Sequence, residues 1–481
     1  MYALCARGAG SQSTTTVIRR IVELELRIAH GAIPHFPTYC MAMEKTEVIV
    51  VGAGPAGITA AHSLHGRMKT IVLEGRSDRI GGRVHSSRLW PNETCDLGAS
   101  WLTHMLINPL TDVIQKHHIR LASSELLNFG LRDAHGKRLS EIEIAEIFAL
   151  YEDIYVEVKE RAEEREGNGD EDCAASEEFE RAIASRNLSR DEELGVRFFI
   201  NYTVSEPNTS DLDNLSLFHW DDDLIFVQAA AAVFPNGYVE VFEQMAKPLD
   251  IRMDHVVTEI HRDRDGVTVR TKNGNEFRAS YVIVTLPHGV LKHGLREGSL
   301  KFTPALPKRK LDAIERLETG LSDKFYFRFD ECFWDKDKDL VNLVAPDGNG
   351  AWSTWINFHK YTGNNVIACF NRTDHALRLE SMTDDAVIDE AMQVITRVYG
   401  PQSRPQMQRS HWSSDPFARG TLAYVPPGAA SGDFTTLGLP TGRLCFAGDS
   451  TVPEYHGTVF AAYLSGIREA TRVLYRSGNV F

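Results

Sequence analysis

The sequence predicts an α/β fold in which a discontinuous Rossmann-like nucleotide-binding domain is interleaved with an α+β domain containing a mixed sheet. Three observations carry this reading. Val48-Ile-Val-Val-Gly52-Ala-Gly54-Pro-Ala56-Gly57 sets four apolar β-formers before a Gly-x-Gly-x-x-Gly turn; helical spacing to Leu64 and a second apolar run ending at Glu74 follow. After helical stretches between about 140 and 186, a β-rich segment opening at Phe234 returns to the first domain. A strand, a Gly–acid turn and a helix then close the chain between Arg443 and Leu474.

In the first unit, Gly52 permits the tight turn, Gly54 lets backbone approach a pyrophosphate, and Gly57, after Ala56, allows close helix–strand packing. Phosphate would face the free N–H groups at the helix start. Glu74 closes the second strand where a carboxylate binds a ribose hydroxyl. These features together point to a bound dinucleotide.

The chain has 481 residues, enough for two large domains or one interleaved pair, with 43% hydrophobic and 25% charged residues and no repeat. A net charge of −14 argues against a general nucleic-acid binder; a solvated surface accounts for it, and it also suits a cationic small substrate. The seven cysteines are scattered without a C-x-x-C, which excludes a disulfide scaffold or zinc site and fits a reducing, intracellular compartment. No stretch is apolar enough to span a bilayer. Residues 1–45 are left unassigned. Arg7, Arg19, Arg20 and Arg27 among Ser/Thr suit an organelle transit peptide, Glu23 and Glu25 argue against one, and Met41 and Met43 offer a later start.

Beyond Glu74, Arg79-Ile-Gly81-Gly82-Arg83 pairs glycines with arginines, so that Arg83 is a candidate pyrophosphate ligand with paired donors. Asp96-Leu-Gly98-Ala-Ser100-Trp101 follows. Here the chain resembles the FAD-dependent amine oxidases, which include polyamine oxidases, monoamine oxidases, L-amino-acid oxidases and histone-lysine demethylases. The resemblance implies an FAD whose isoalloxazine lies by Ser100 and Trp101. The linker from Glu74 to Gly81 is one residue longer than the usual pattern, which leaves a contact from Arg76 to FAD open.

Ser140 to about Arg165 reads as an amphipathic helix broken at Gly167–Cys173, and Ser176 to Arg186 as another; both are assigned to a substrate domain. The acidic runs Glu163–Glu166 and Asp221–Asp223 read as solvated faces, with attraction of polyamines as the alternative. Asp250 to Ile260 alternates as one strand, and Gly266–Gly274 is a hairpin with an Asn-Gly turn. Tyr281–Pro287 is a buried strand. In the family, the valine matching Val257 contacts adenine through its backbone.

Gly320-Leu-Ser-Asp-Lys324-Phe-Tyr-Phe-Arg-Phe329 has period two, with Lys324, Tyr326 and Arg328 on one face. By pattern alone Lys324 faces solvent. The resemblance, with Phe333-Trp334 following, implies instead that Lys324 hydrogen-bonds a water at flavin N5 and is catalytic. Gly420 stands where monoamine oxidases bond flavin to a cysteine, which implies non-covalent FAD. Thr421 and Tyr463 match the two tyrosines of the monoamine oxidase sandwich, so Tyr463 is the substrate-binding candidate. In the closing motif the resemblance gives Asp449, Thr458 and Val459 to the flavin end. Asp449 replaces the usual glutamate, Phe460-Ala461 an H-G, and Thr103-His104 another H-G.

The domains expected are FAD-binding at 46–125, 234–306 and 436–476, and substrate-binding at 126–233 and 307–435. The implied reaction is oxidation of a C–N bond of a polyamine or related amine to an imine, with O2 reduced to H2O2. The alternative is a flavin oxidase or desaturase acting on an amino-acid-derived or alkaloid intermediate. A demethylase-like chromatin role is disfavoured, since the chain has no room for a long helical arm. Small amine and O2 are the partners, with no nucleic acid, metal or membrane span.

Overall fold

The computed structural model describes residues 43–105, 107–222 and 231–479. Val48–Val51, apolar and buried, is the central strand of a five-stranded parallel sheet. The order is Asp250–Arg252, Thr70–Leu73, Val48–Val51, Tyr281–Val284, Leu444–Phe446. Strands buried on both faces read as unbroken apolar runs, as here. Val51 pairs with Leu73 and Val284, and Val284 with Phe446, so these strands end level. Gly52, Glu74, Thr285 and Ala447 therefore leave one carboxyl edge together, the edge at which open parallel sheets take ligands.

Helix Pro55–Leu64 follows the glycine turn and packs against helix Val459–Ser477. Two glycines set that geometry. Gly52 has φ +105°, and a Cβ on Gly57 would lie 1.9 Å from the Gly52 carbonyl oxygen. Gly57→Ala is expected to destabilise the fold by about 3 kcal/mol, read from the midpoint of denaturant unfolding. An unchanged midpoint would contradict the packing.

A second sheet orders Glu44–Lys45, Glu276–Ala279, Val267–Thr271, Val257–Arg262 and Lys301–Thr303. It contains the expected hairpin, with Gly274 at φ +86°. Its edge strand begins at Glu44, inside the segment left unassigned; residues 1–42 of that segment lie outside the described residues. One expectation is corrected. Asp250 to Ile260 is two strands in two sheets, because Asp254 turns at φ +60° and the amides of Asp254 and His255 donate to Arg76 and Glu74 carbonyls.

The third sheet is mixed and runs Gln406–Arg409, Ser322–Arg328, Val366–Arg372, Trp355–Asn357, Leu340–Leu343, Phe129–Arg132. Only the last pair is parallel. One face packs on helices Glu141–Asn168, Ala175–Ala184 and Arg190–Ile200 through Tyr151, Phe179 and Phe199. The first of these starts at a Ser140–Glu143 capping box and ends on left-handed Gly169, as its sequence signals predict. The other face sets Phe325, Phe327, Trp352 and Trp355 against helix Asp384–Tyr399. The strand carrying Lys324 is thus covered on both sides. Among the described residues no helix is long and apolar enough to cross a membrane.

Candidate active site

A cavity of ≈ 1070 Å³ opens at the carboxyl edge of the parallel sheet and reaches the mixed sheet. That is the upper end of the usual range for ligand sites. Gly52, Gly54, Ala56, Glu74, Arg83, Ser100, Trp101, Val257, Lys324, Asp449, Thr458 and Val459 all line it. Two sequence-predicted residues do not. Gly57 lies behind the turn, where its missing side chain lets the helix approach. Tyr463 packs into the core beneath the parallel sheet, near Val113 and Asp112. Only the first turn of its helix, through Ala462, lines the cavity, with Tyr463 the next residue along.

Glu74 is buried, and its carboxylate accepts the amides of Ala53 at 2.6 Å and Arg76 at 2.9 Å, which ties the acid to the glycine turn. Arg76 itself forms an ion pair with Asp415 and lies over the Phe417 ring. Arg83 reaches the Asp449 carboxylate and the Thr421 carbonyl. Two observations test whether a dinucleotide fits. Asp449 Oδ2 is buried with no hydrogen-bond partner, an acceptor awaiting a donor. At the turn, a Cβ on Gly82 would come within 3.3 Å of Gly54 Cα, so only bare backbone faces the cavity there. The residues fit.

Lys324 is buried, and its Nζ donates to the Asp96 carbonyl at 3.1 Å, the Gly98 carbonyl and Ser100 Oγ. It also lies 5.4 Å from the Trp101 ring centroid and 5.2 Å from that of Phe370. Burial lowers its pKa, opposed by the Asp96 charge. Asp96 is buried too, and its carboxylate accepts Ser86 Oγ and the Tyr238 amide. Burial raises its pKa. The pattern-based expectation of a solvent-facing lysine fails because the Asp96–Trp101 segment and Phe370 enclose its side chain.

The far wall contains an acid that the sequence reading missed. Helix Arg190–Ile200 passes into a π-helical turn, Asn201–Ser205, which delivers Glu206 to the cavity. Glu206 accepts Thr354 Oγ1 at 2.8 Å. Desolvation raises its pKa to about 7, against the opposing effects of Arg372 and Thr354. Tyr202, Thr209, Thr354 and Phe370 line the same region. The more conspicuous acids are occupied elsewhere: Asp221 pairs with Lys159 at 2.6 Å and Asp222 with His219 at 2.8 Å, and neither lines the cavity. Asp223 lies outside the described residues.

The two non-standard motifs meet in space. His104, at φ +56°, stacks on Phe460 with centroids 5.6 Å apart, and Tyr455 packs edge-on against His104. Thr103 and Phe460 carry this cluster to the cavity wall. At Gly420, φ is +110° and a Cβ would lie 2.6 Å from Thr319 Cγ2. Among the described residues no cluster suited to a metal ion occurs.

A parallel sheet with a glycine turn and a buried ribose-type acid at one edge of a large cavity defines a dinucleotide-binding protein. The flavin containing amine oxidoreductase family model matches residues 55–474, and the chain belongs to that family. It is similar to Polyamine oxidase 2 of Arabidopsis thaliana, 32% identical over 460 residues, covering 92% of this chain and 91% of the relative. It is also similar to Polyamine oxidase 3 of Oryza sativa subsp. japonica, 29% identical over 436 residues, 88% of each. Lysine-specific histone demethylase 1 homolog 2 of the same rice is 28% identical over 447 residues, which span 89% of this chain and 57% of that protein. The chain is an FAD-dependent oxidoreductase acting on amines.

Proposed function

We propose that this protein oxidises a C–N bond of a polyamine or related amine with more than one positive charge, giving an imine and reducing O2 to H2O2. The observation that carries the reading is Glu206, a carboxylate in the same cavity as Lys324 and Trp101. It suits an ammonium group beyond the reacting nitrogen. The polyamine oxidases among the relatives support the same choice.

FAD, when bound, would supply the acceptor for one hydride, two electrons with a proton, and would return those two electrons to oxygen. The chain's residues do the rest. Gly52, Gly54, Ala56 and Arg83 would hold the pyrophosphate, with Glu74 for the ribose and Val257 for the adenine. Asp449, Thr458 and Val459 would hold the ribityl and flavin end, with Ser100 and Trp101 beside the ring. Gly420, which has no side chain that could bond to flavin, would leave the cofactor non-covalent. Lys324 orients water by the reacting centre. The substrate nitrogen must be neutral to lose hydride from its α-carbon, and water then hydrolyses the imine. In this reading residues 46–125, 234–306 and 436–476 form the FAD domain, and 126–233 with 307–435 the substrate domain.

One observation favours a second reading, a flavin oxidase or desaturase of an amino-acid-derived or alkaloid intermediate. The His104–Phe460 stack gives this cavity a wall unlike the usual H-G motifs. Anaerobic mixing of the yellow protein with spermine, spermidine, their acetyl forms, monoamines and L-amino acids decides between them. Fast loss of flavin absorbance with polyamines alone is the expected result. No bleaching by any of them overturns the polyamine reading.

A further inference from the structure

Both ends of Lys324 are held by one circuit of hydrogen bonds, and Asp323 is its hub. On the strand Ser322–Arg328, Asp323 points away from the lysine side chain and is fully buried. Its Oδ1 accepts Ser410 Oγ at 2.6 Å and the Trp412 amide at 3.1 Å. Ser410 Oγ in turn accepts the Lys324 amide at 2.9 Å, and the Ser410 amide donates back to the Lys324 carbonyl at 3.0 Å. Trp412 Nε1 donates to the Leu97 carbonyl at 3.1 Å. Leu97 stands between Asp96 and Gly98, whose carbonyls accept the Lys324 ammonium. The circuit thus runs from the backbone of Lys324 to its own side chain.

We propose that Asp323 is a positioning residue: by gripping Ser410 and Trp412 it fixes both the backbone of Lys324 and the carbonyl cage around its Nζ. This rests on the reading that Lys324 acts in the reaction. Glu380 holds the next residues of the same segment, accepting the amides of Ser413 at 2.7 Å and Ser414 at 3.0 Å. Burial, with Glu380 adding to it, raises the Asp323 pKa and favours the neutral acid. Asparagine keeps the acceptor oxygen that both contacts use, so it is the conservative control.

The test is a double-mutant cycle on the FAD-loaded protein. Flavin reduction by spermine and reoxidation of dithionite-reduced protein by O2 are timed in wild type, Asp323→Ala, Asp323→Asn, Lys324→Met and the Asp323→Ala/Lys324→Met double variant. The reoxidation arm needs no substrate. Asp323→Ala is expected to slow the Lys324-dependent step about tenfold, as misplacement of a reacting group does, while Asp323→Asn stays within about twofold of wild type. In the Lys324→Met background, Asp323→Ala is expected to change nothing further.

An equal slowing with and without Lys324, or none at all, overturns the proposal. If Asp323→Ala does not fold, Ser410→Ala cuts the same circuit and is read in the same cycle. Unchanged rates in Lys324→Met alone bring down the reading of the lysine itself, and with it the role of Asp323. That failure is distinct, because it arises with Asp323 intact.

Discussion

Replacing Lys324 by methionine is expected to leave FAD bound and to slow flavin reduction or reoxidation by about 10²–10³-fold, the usual cost of removing a preorganised polar group from a reacting centre. Methionine matches the lysine stem in length but donates nothing. The Asp96 and Gly98 carbonyls and Ser100 Oγ then lose their common donor. Stability is expected to fall by about 1–3 kcal/mol through those unmet acceptors. Stopped-flow traces give the two rates, and the ratio of flavin to protein absorbance verifies the cofactor. Both half-reactions at wild-type speed, with FAD present, would remove Lys324 from the mechanism.

The second large effect belongs to Glu206. Glu206→Gln is expected to raise KM for spermine roughly 30-fold, about 2 kcal/mol, the lower end of what is lost when a buried ionic partner is removed. A monoamine without a second charge is expected to change little. The sign of the pH effect follows from the raised pKa. Below about 7 the Glu206 carboxyl is protonated and binds an ammonium poorly; as pH rises through 7 it ionises and affinity increases. Glu206→Gln removes this limb. A separate rise in rate toward pH of about 10 reflects deprotonation of the amine itself and persists in the variant. Identical pH profiles of KM for both proteins would exclude Glu206 as an ammonium site.

The parts of this molecule legible in the sequence were those whose signals are local. Val48–Val51 and Gly52–Gly57 announce a strand and turn because apolar burial and missing side chains are written consecutively, and the capping box at Ser140 marks a helix start within four residues. Distant contacts left no such mark. Asp250 to Ile260 alternates without interruption, yet hydrogen bonds to Arg76 and Glu74 divide it between two sheets. Lys324 obeys a two-residue period that cannot say that the distant Asp96–Trp101 segment encloses its side chain; only the resemblance to a family placed it inside. Glu206 had no local signal. A π-helical turn, which no sequence period reveals, rotates it into the cavity, while acids in obvious runs remain in surface pairs.

The order of the parallel sheet also bears on how the protein is made. Its central strand Val48–Val51 leaves the ribosome long before its edge strand Leu444–Phe446 and the helix Val459–Ser477. Gly466 of that helix closes on Ala56, where a Cβ would lie 2.5 Å from the Ala56 carbonyl oxygen, and Asp449 is the partner of Arg83. At about 5–20 residues per second, the nascent first helix waits tens of seconds for its cover. The cavity wall lacks Asp449, Thr458 and Val459 until that helix has been made, so a complete cofactor site forms only after it emerges. A chain that stops before Asp449 lacks both that carboxylate and the helix after it, which leaves the early apolar surfaces to chaperones rather than to flavin.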